Sequence, residues 1–291
     1  TAGGTGKTPM VIEVACRLLN MGKRPAGLMR GYHAQEGLSD EARLLAEALA
    51  PHVMVHTHPK RSTAATNALL ADSGIDCFIL DDAFQHRQAQ RDLDILLIDA
   101  TNPFGHDHML PRGLLREPIT GMRRAQGVVI TRADLVSGET LAKLRKRIES
   151  ITQPKVLAIT SFEWTGFRDA SDKTLDLADL ADKNVLGVCG VGNPEAFKKM
   201  LFAHFGQTPV EVMPDHHHYE SAEIRSLFES SDFAQADAII TTEKDWVKWR
   251  QFMPDAGWPL PVYRPVLGVK WLEGEDAFEA LLQTFDGQSQ H

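Results

Sequence analysis

Residues 1–8 read Thr1-Ala2-Gly3-Gly4-Thr5-Gly6-Lys7-Thr8 and run directly into Pro9 and an amphipathic stretch. Closely spaced glycines let a backbone turn take positive φ angles and bring its N–H groups close to an anion. A lysine and a hydroxyl residue where such a turn opens into a helix make a phosphate-binding, or Walker A, loop. Gly3, Gly4, Thr5 and Gly6 would form the cradle, Lys7 would reach the β- and γ-phosphates of ATP, and the Thr8 hydroxyl would hold Mg²⁺. The helix behind the loop would direct its positive end at the anion. Thr1 stands where the pattern has its first glycine. The competing reading is a glycine-rich turn that only caps a structural helix.

Outward from the loop, short β-rich runs alternate with helical patterns, which predicts an α/β fold with a mainly parallel sheet covered by helices. A helix is expected over residues 8–20, with Val11, Val14, Ala15, Leu18 and Leu19 on one face and Gly22 as its stop. Strands are expected at 26–29, 53–56, 75–80, 93–98 and 128–131, and helices at 40–50 and 61–72. Residues 103–118 form a Pro/Gly-rich loop of a length that usually carries function or disorder. A second α/β pattern begins at Val185. There Asn193-Pro194-Glu195 supplies an N-cap, an N1 proline and a first-turn acid in order. The expected division is a nucleotide-binding domain at 1–160, a linker at 161–184, and a smaller α/β domain at 185–291. Strand-like segments at 156–160 and 261–269 connect the two.

The 291 residues carry 31 Lys plus Arg against 39 Asp plus Glu, a net charge of −8. That balance provides no broad basic surface for nucleic acid, so no nucleic-acid partner is expected. The cluster Lys143, Arg145, Lys146 and Arg147 shares its helix with Glu139 and Glu149 and reads as a solvated face. Cys16, Cys77 and Cys189 lie far apart in apolar runs and read as small core residues rather than a disulfide framework. No apolar run reaches the roughly 18 residues that would suggest a membrane span.

Phosphoryl transfer calls for charge neutralisation, alignment and a group that accepts the acceptor's proton. Acids at the carboxyl ends of buried parallel strands suit these tasks, because the crevice of an open α/β sheet lies there. Asp81 and Asp82 end one such run and are followed by Phe84-Gln85-His86. Asp99 ends another and rivals them for the metal-facing position. Ser39-Asp40-Glu41 ahead of an Ala/Leu-rich helix reads, on the residues alone, as an N-terminal capping arrangement. His216-His217-His218 could suggest zinc, but no Cys or further His stands at ligand spacing. A single histidine beside Asp215 acting as a polar active-site group fits better, since imidazole titrates near neutral pH.

Taken together, several ordered blocks resemble the lipid A 4′-kinase (tetraacyldisaccharide 4′-kinase) family. They are the 1–9 loop, Arg30-Gly31-Tyr32, Ser39-Asp40-Glu41, Asp81-Asp82-Ala83-Phe84-Gln85-His86, Leu110-Pro111-Arg112-Gly113 with Leu115-Arg116-Glu117-Pro118, Gly190-Val191-Gly192-Asn193-Pro194, Pro214-Asp215-His216-His217, and Thr241-Thr242-Glu243-Lys244-Asp245. The resemblance implies ATP- and Mg²⁺-dependent phosphorylation of the 4′-hydroxyl of a lipid disaccharide monophosphate. That chemistry yields lipid IVA at the cytoplasmic face of the bacterial inner membrane, with no obligate protein partner. It also implies a P-loop NTPase-like domain and a smaller α/β/α domain joined by a two-stranded linker. Lys7 and Thr8 match the phosphate and metal residues, Asp40 the catalytic base, and His216 its assistant. Asp81, Asp82, Gln85, His86, Arg116 and Glu117 match the polar lining, with Asp81 and Glu117 as metal contacts. Tyr32, Glu41 and Arg61 match residues near the acceptor.

Three features depart from the family pattern. The segment between Tyr32 and Asp40 is short, Ala83 stands where a glycine is expected, and the chain starts inside the phosphate loop. Family members carry a membrane-associated helix and a strand ahead of that loop. This chain alone is therefore expected to be a weaker kinase than one carrying both. Two other functions compete: a soluble small-molecule kinase, active without lipid, and a regulatory P-loop NTPase, stimulated by a protein partner.

Overall fold

The computed structural model describes residues 6–31, 40–86, 88–154, 156–215, 217–229, 235–254 and 257–284, without the side chains of Asp40, Glu41 and His106. In chain order the elements are α1 (Lys7–Asn20), β1 (Pro25–Met29), α2 (Asp40–Leu49), β2 (Val55–Thr57), α3 (Arg61–Ala71), β3 (Cys77–Leu80), β4 (Ile95–Asp99), β5 (Gly127–Thr131), α4 (Gly138–Ile151), β6 (Val156–Arg168), β7 (Thr174–Leu175), β8 (Val185–Cys189), α5 (Pro194–Phe205), β9 (Val210–Val212), α6 (Ser221–Glu229), β10 (Ala238–Thr241), α7 (Glu243–Trp249), β11 (Val262–Glu273) and α8 (Glu275–Gln283). They sort into two compact units, residues 1–162 with 269–291, and residues 163–268. The chain passes from the first to the second within β6 and returns within β11.

In the first unit β1 lies between β2 and β3, and β5 lies between β4 and β6, all in parallel pairs. β1 and β5 are buried along their whole length. That is why both read as unbroken apolar runs rather than alternating ones. α1 lies between two clusters. Met10, Val14 and Leu18 pack with Val129, Ala158 and α8, while Ala15 turns towards Leu45 and Leu49 of α2. Gly22, at φ 76, ends the helix. Its N–H donates to the Leu19 carbonyl at 2.9 Å, and the Lys23 N–H donates to Leu18 at 3.0 Å. A left-handed glycine closes a helix in this way without a Cβ clash.

The C-terminal segment completes this unit. Arg17 of α1 donates to Glu13, Glu275 and Glu279 at 2.7, 2.5 and 2.6 Å and lies over the Trp271 ring. Trp271 donates in turn to Glu13 at 3.0 Å. α8 escapes the sequence pattern because its apolar face is only Phe278, Leu281 and Leu282, too short a repeat to stand out. All three are buried against α1.

The second unit has β10 between β8 and β11, with β9 outside β8, again in parallel pairs. Residues 163–184, placed in a linker by the sequence pattern, supply Trp164, Phe167 and Leu180 to its core. β6 runs on past Thr160 because polar Glu163 and Thr165 alternate with buried Trp164 and with Gly166-Phe167. A fully buried Arg264 ties this unit together. It donates to Glu243 at 2.9 Å and to the Asp169 carbonyl and the Asp172 carboxylate, each at 2.6 Å, beneath Trp246.

One sequence expectation changes in detail and another holds. Cys16 is exposed, while Cys77 and Cys189 are buried. Position 16 falls between the inward-facing 14, 15 and 18 and so projects outward from α1. The basic helix face is solvated as expected, with Lys143 on Glu139, Arg145 on Glu149 and Glu273, and Arg147 on Asp107.

Removing the Arg264 side chain takes away its hydrogen bonds and leaves a cavity, while the half-exposed carboxylates can rehydrate. Arg264→Ala should therefore lose about 2–4 kcal/mol of stability, with Arg264→Met losing less. Chemical denaturation of the three proteins measures this, and equal midpoints would contradict the assignment.

Candidate active site

The site of the first unit forms where α1 begins and β3 ends. Gly6, at φ 84, precedes α1, and no side chain caps the helix there. A Cβ on Gly6 would lie 2.2 Å from Phe162 Cζ, so a glycine is required both by conformation and by space. The first turn of α1 holds no acid. With Lys7 at its start, this end of the helix is electropositive and suited to phosphate. The loop residues Gly3, Gly4 and Thr5 lie outside the described residues.

Asp81 is buried and continues the sheet ladder, its N–H donating to Leu28 at 3.1 Å. Arg61 is buried beneath it and donates to the Asp81 carbonyl at 2.6 Å. Arg61 therefore braces this turn from below. Asp82 follows at φ 49. An aspartate tolerates this left-handed conformation better than most residues. The strained position of the turn is therefore 82 and not 83, which explains how Ala83 fits, buried, where the sequence pattern leads one to expect glycine.

The turn aims Asp82 at two cations. Its carboxylate lies 3.9 Å from Lys7 Nζ and accepts from Arg116 at 2.6 Å. Burial alone would raise its pKa, but the Arg116 hydrogen bond and the charges of Lys7 and Arg116 hold it below the ordinary carboxylate range. The long 103–118 loop thus delivers Arg116 to the strand end. It also delivers Glu117, which accepts from Gln85 at 3.1 Å and from Arg124 at 2.8 and 3.0 Å. Arg124 lies over the Phe84 ring, 4.5 Å from its centroid. The sequence pattern does not single out Arg124; the only signal is a basic pair shortly after Glu117. His86 is exposed beside this cluster.

Asp99 is occupied otherwise. It accepts from the Thr101 N–H and hydroxyl at 2.9 and 2.7 Å and is paired with Arg132. Of the rival strand-end acids, the structure brings Asp82 to Lys7. A cavity of about 560 Å³ opens from this polar end, bordered by Lys7, Asp81, Asp82 and Gln85, and continues between β3 and β4 over the apolar faces of α1 and α8.

Asp40 and Glu41 open α2, at the positive end of a helix, which suits both a capping and a catalytic carboxylate. Tyr32 and His216 lie outside the described residues. In the second unit, His217 pairs with Glu223 at 2.8 Å. Among the described residues no group of three or more His, Cys, Asp or Glu is arranged to hold a metal. Mg²⁺ at a kinase site needs only one or two carboxylates beside nucleotide phosphates and water.

A lysine at the open start of a helix, facing an aspartate at the end of a parallel strand, defines a P-loop kinase fold. More particularly, the chain belongs to the tetraacyldisaccharide-1-P 4′-kinase (LpxK) family, whose model matches residues 1–285. It is 34% identical to the tetraacyldisaccharide 4′-kinase of Anaeromyxobacter sp. strain K, over 96% of this chain and 78% of that one. It is 35% identical to that of Geobacter sulfurreducens, over 94% and 78%. A crystal structure of LpxK from Aquifex aeolicus in complex with ATP superposes with a TM-score of 0.71 at 27% identity, covering 98% of this chain and 85% of that one.

Because its folded-state pKa is depressed, Asp82 should stabilise the protein fully above the unfolded value, about 4 for aspartate, and lose that contribution as pH falls through the lower folded value. Melting temperatures of the wild type and Asp82→Asn should therefore differ by a constant margin down to about pH 4 and converge below it. A margin that instead grows on acidification would contradict the pairing with Arg116 and Lys7.

Proposed function

We propose that this chain transfers the γ-phosphoryl group of ATP to the 4′-hydroxyl of a tetraacyldisaccharide 1-phosphate, forming lipid IVA. Family membership and the likeness to an ATP-bound LpxK support the reaction. The observation that carries it in this molecule is Lys7, held at the open N-terminus of α1 opposite Asp82. The glycine loop, the α1 N–H groups and Lys7 bind and orient the phosphates. Thr8 and Asp81 would hold Mg²⁺. When bound, that ion neutralises charge on the transferring phosphoryl group. Asp82, held by Arg116, faces the ammonium of Lys7, and Asp82 and Arg116 line the path of the acceptor with Gln85 and His86. Glu117, with both oxygens on Arg124, serves to hold Arg124 and Gln85 rather than to bind the metal. Asp40 accepts the proton of the 4′-hydroxyl, and His216 assists it. Tyr32 and Glu41 flank the acceptor.

An acceptor with four acyl chains resides in a lipid phase, so the reaction takes place at the inner-membrane surface, on the side where ATP is available. Among the described residues no helix is long and apolar enough to cross a membrane.

Two variants test the assignment. Lys7→Ala should abolish measurable transfer while the protein stays folded, with at most a small drop in melting temperature from the lost Asp82 contact. Asp40→Ala should lose roughly 10²–10⁴ in kcat, the contribution of a well-placed general base, with little change in ATP affinity. If Asp40 were only a helix cap, the loss would instead be about 1 kcal/mol of stability, with activity surviving in the folded fraction.

A further inference from the structure

Two segments flank the Arg116–Asp82 pair, and a single guanidinium touches both. On one side the long loop ends in Arg116-Glu117; on the other the turn after β3 continues from Asp82 into Phe84-Gln85. Arg124 Nη2 donates to both Glu117 oxygens, at 2.8 and 3.0 Å, and to the Phe84 carbonyl at 3.3 Å. Its charge lies over the Phe84 ring. Gln85 closes the circuit by donating to Glu117 at 3.1 Å.

Arg124 stands on a firm base. It ends a short 3₁₀ helix, Ile119–Arg124, whose Met122 is buried in one cluster with Val128 and Ile130 of β5. The Ala125 N–H donates to the Met122 carbonyl at 3.0 Å and ties this helix to the chain entering β5. Phe84 packs against the same cluster. Arg116 and Asp82, by contrast, are both partly exposed, and an ion pair so placed is too weak by itself to hold a loop. The loop must therefore be held on both sides of Arg116. Before it, the Leu115 N–H donates to the His108 carbonyl at 3.1 Å, and the Leu115 carbonyl accepts from Leu110 at 2.9 Å. After it, the anchor is Glu117 on Arg124.

The backbone makes room for this anchor. A Cβ on Gly121 would lie 2.6 Å from Glu117 Oε2 and 3.1 Å from Arg124 Nη1. Gly121 does not take a positive φ, so the glycine answers a need for space rather than for conformation. A methyl group at this position would meet the movable end of Glu117 and press its carboxylate off Arg124, with every charged group still present.

We propose that Arg124 is a positioning residue of the kinase site: by holding Glu117 against Phe84 and Gln85 it sets Arg116 on Asp82, the carboxylate that faces Lys7. This rests on the proposed assignment of Arg116 and Asp82 to the acceptor path. Small displacements of a site residue can cost up to about 10²-fold in rate. Arg124→Met keeps an apolar stem over Phe84 and removes the guanidinium. It should lower kcat by roughly ten- to a hundredfold, with the KM for ATP changed less than about threefold. Gly121→Ala should lower kcat in the same direction by less.

The test is a double-mutant cycle with Arg116→Met on the full chain, assayed with MgATP and tetraacyldisaccharide 1-phosphate in detergent and accompanied by melting curves. Crystal structures of Arg124→Met and Gly121→Ala read the place of Arg116 directly. The expected result is that adding Arg124→Met or Gly121→Ala to Arg116→Met produces no further loss of kcat, and that Arg116 has left Asp82 in both crystals. Multiplying losses would overturn the proposal, because Arg124 would then act independently of Arg116. An Arg116–Asp82 contact unchanged in the Arg124→Met crystal would overturn it whatever the rates. Wild-type kcat in folded Arg124→Met beside a slow Arg116→Met would do the same and leave the assignment of Arg116 standing. Wild-type kcat in Arg116→Met would instead overturn the assignment of Arg116 on which the proposal rests. If Arg124→Met fails to fold, the rates and crystal of Gly121→Ala decide the question.

Discussion

The site depends on the opposition of Lys7 and Asp82, a cation at the start of α1 and a carboxylate at the end of β3. Each partner is placed by packing some distance away. α1 is fixed by apolar residues on two sides and by Arg17, which binds three glutamates and covers Trp271. Two of those glutamates belong to α8, so the last helix of the chain helps to aim its first. Asp82 is fixed from below by Arg61 on the Asp81 carbonyl and from the side by Arg116. The left-handed conformation at Asp82 persists because these contacts over-determine the turn, a usual condition for strain at a functional site.

The two units spend their polar side chains differently. In the first, Lys7, Asp82 and Arg116 stand at helix, strand and loop ends with part of their surface open, above the buried Arg61 and Asp81. In the second, the principal charges are sealed in: Arg264 and Asp245 are both fully buried, each answered by three partners. Buried polar groups with several partners are costly to displace and therefore favour a single arrangement.

Much of this was legible in the sequence. The glycine loop, the stop at Gly22, the buried runs ending in Asp81-Asp82 and Asp99, and the N-cap at Asn193 depend on local chemistry, and local chemistry is what a sequence displays. Less visible were features set by long-range contact. Asp81, Asp82 and Asp99 look alike as strand-end acids, and only the partners Arg116, Lys7 and Arg132, distant in the chain, separate their roles. Nothing local shows that Arg61, at the start of a helix, is a buried brace on the Asp81 carbonyl. The extension of β6 beyond Thr160 rests on an alternation only a few residues long, too short to stand out, and Asp245 was legible as a motif residue but not as the carboxylate that accepts from Gly190, Tyr219 and Thr242.

The most direct measurement of the central claim follows both substrates to one product. The protein is incubated with MgATP and tetraacyldisaccharide 1-phosphate in detergent micelles, and the lipid product is analysed by mass spectrometry and phosphorus NMR. The account predicts a bisphosphorylated lipid bearing its new phosphate at the 4′ position, formed one for one with ADP and absent with Lys7→Ala. ADP release without a phosphorylated lipid, or phosphate appearing at any other hydroxyl, would contradict it.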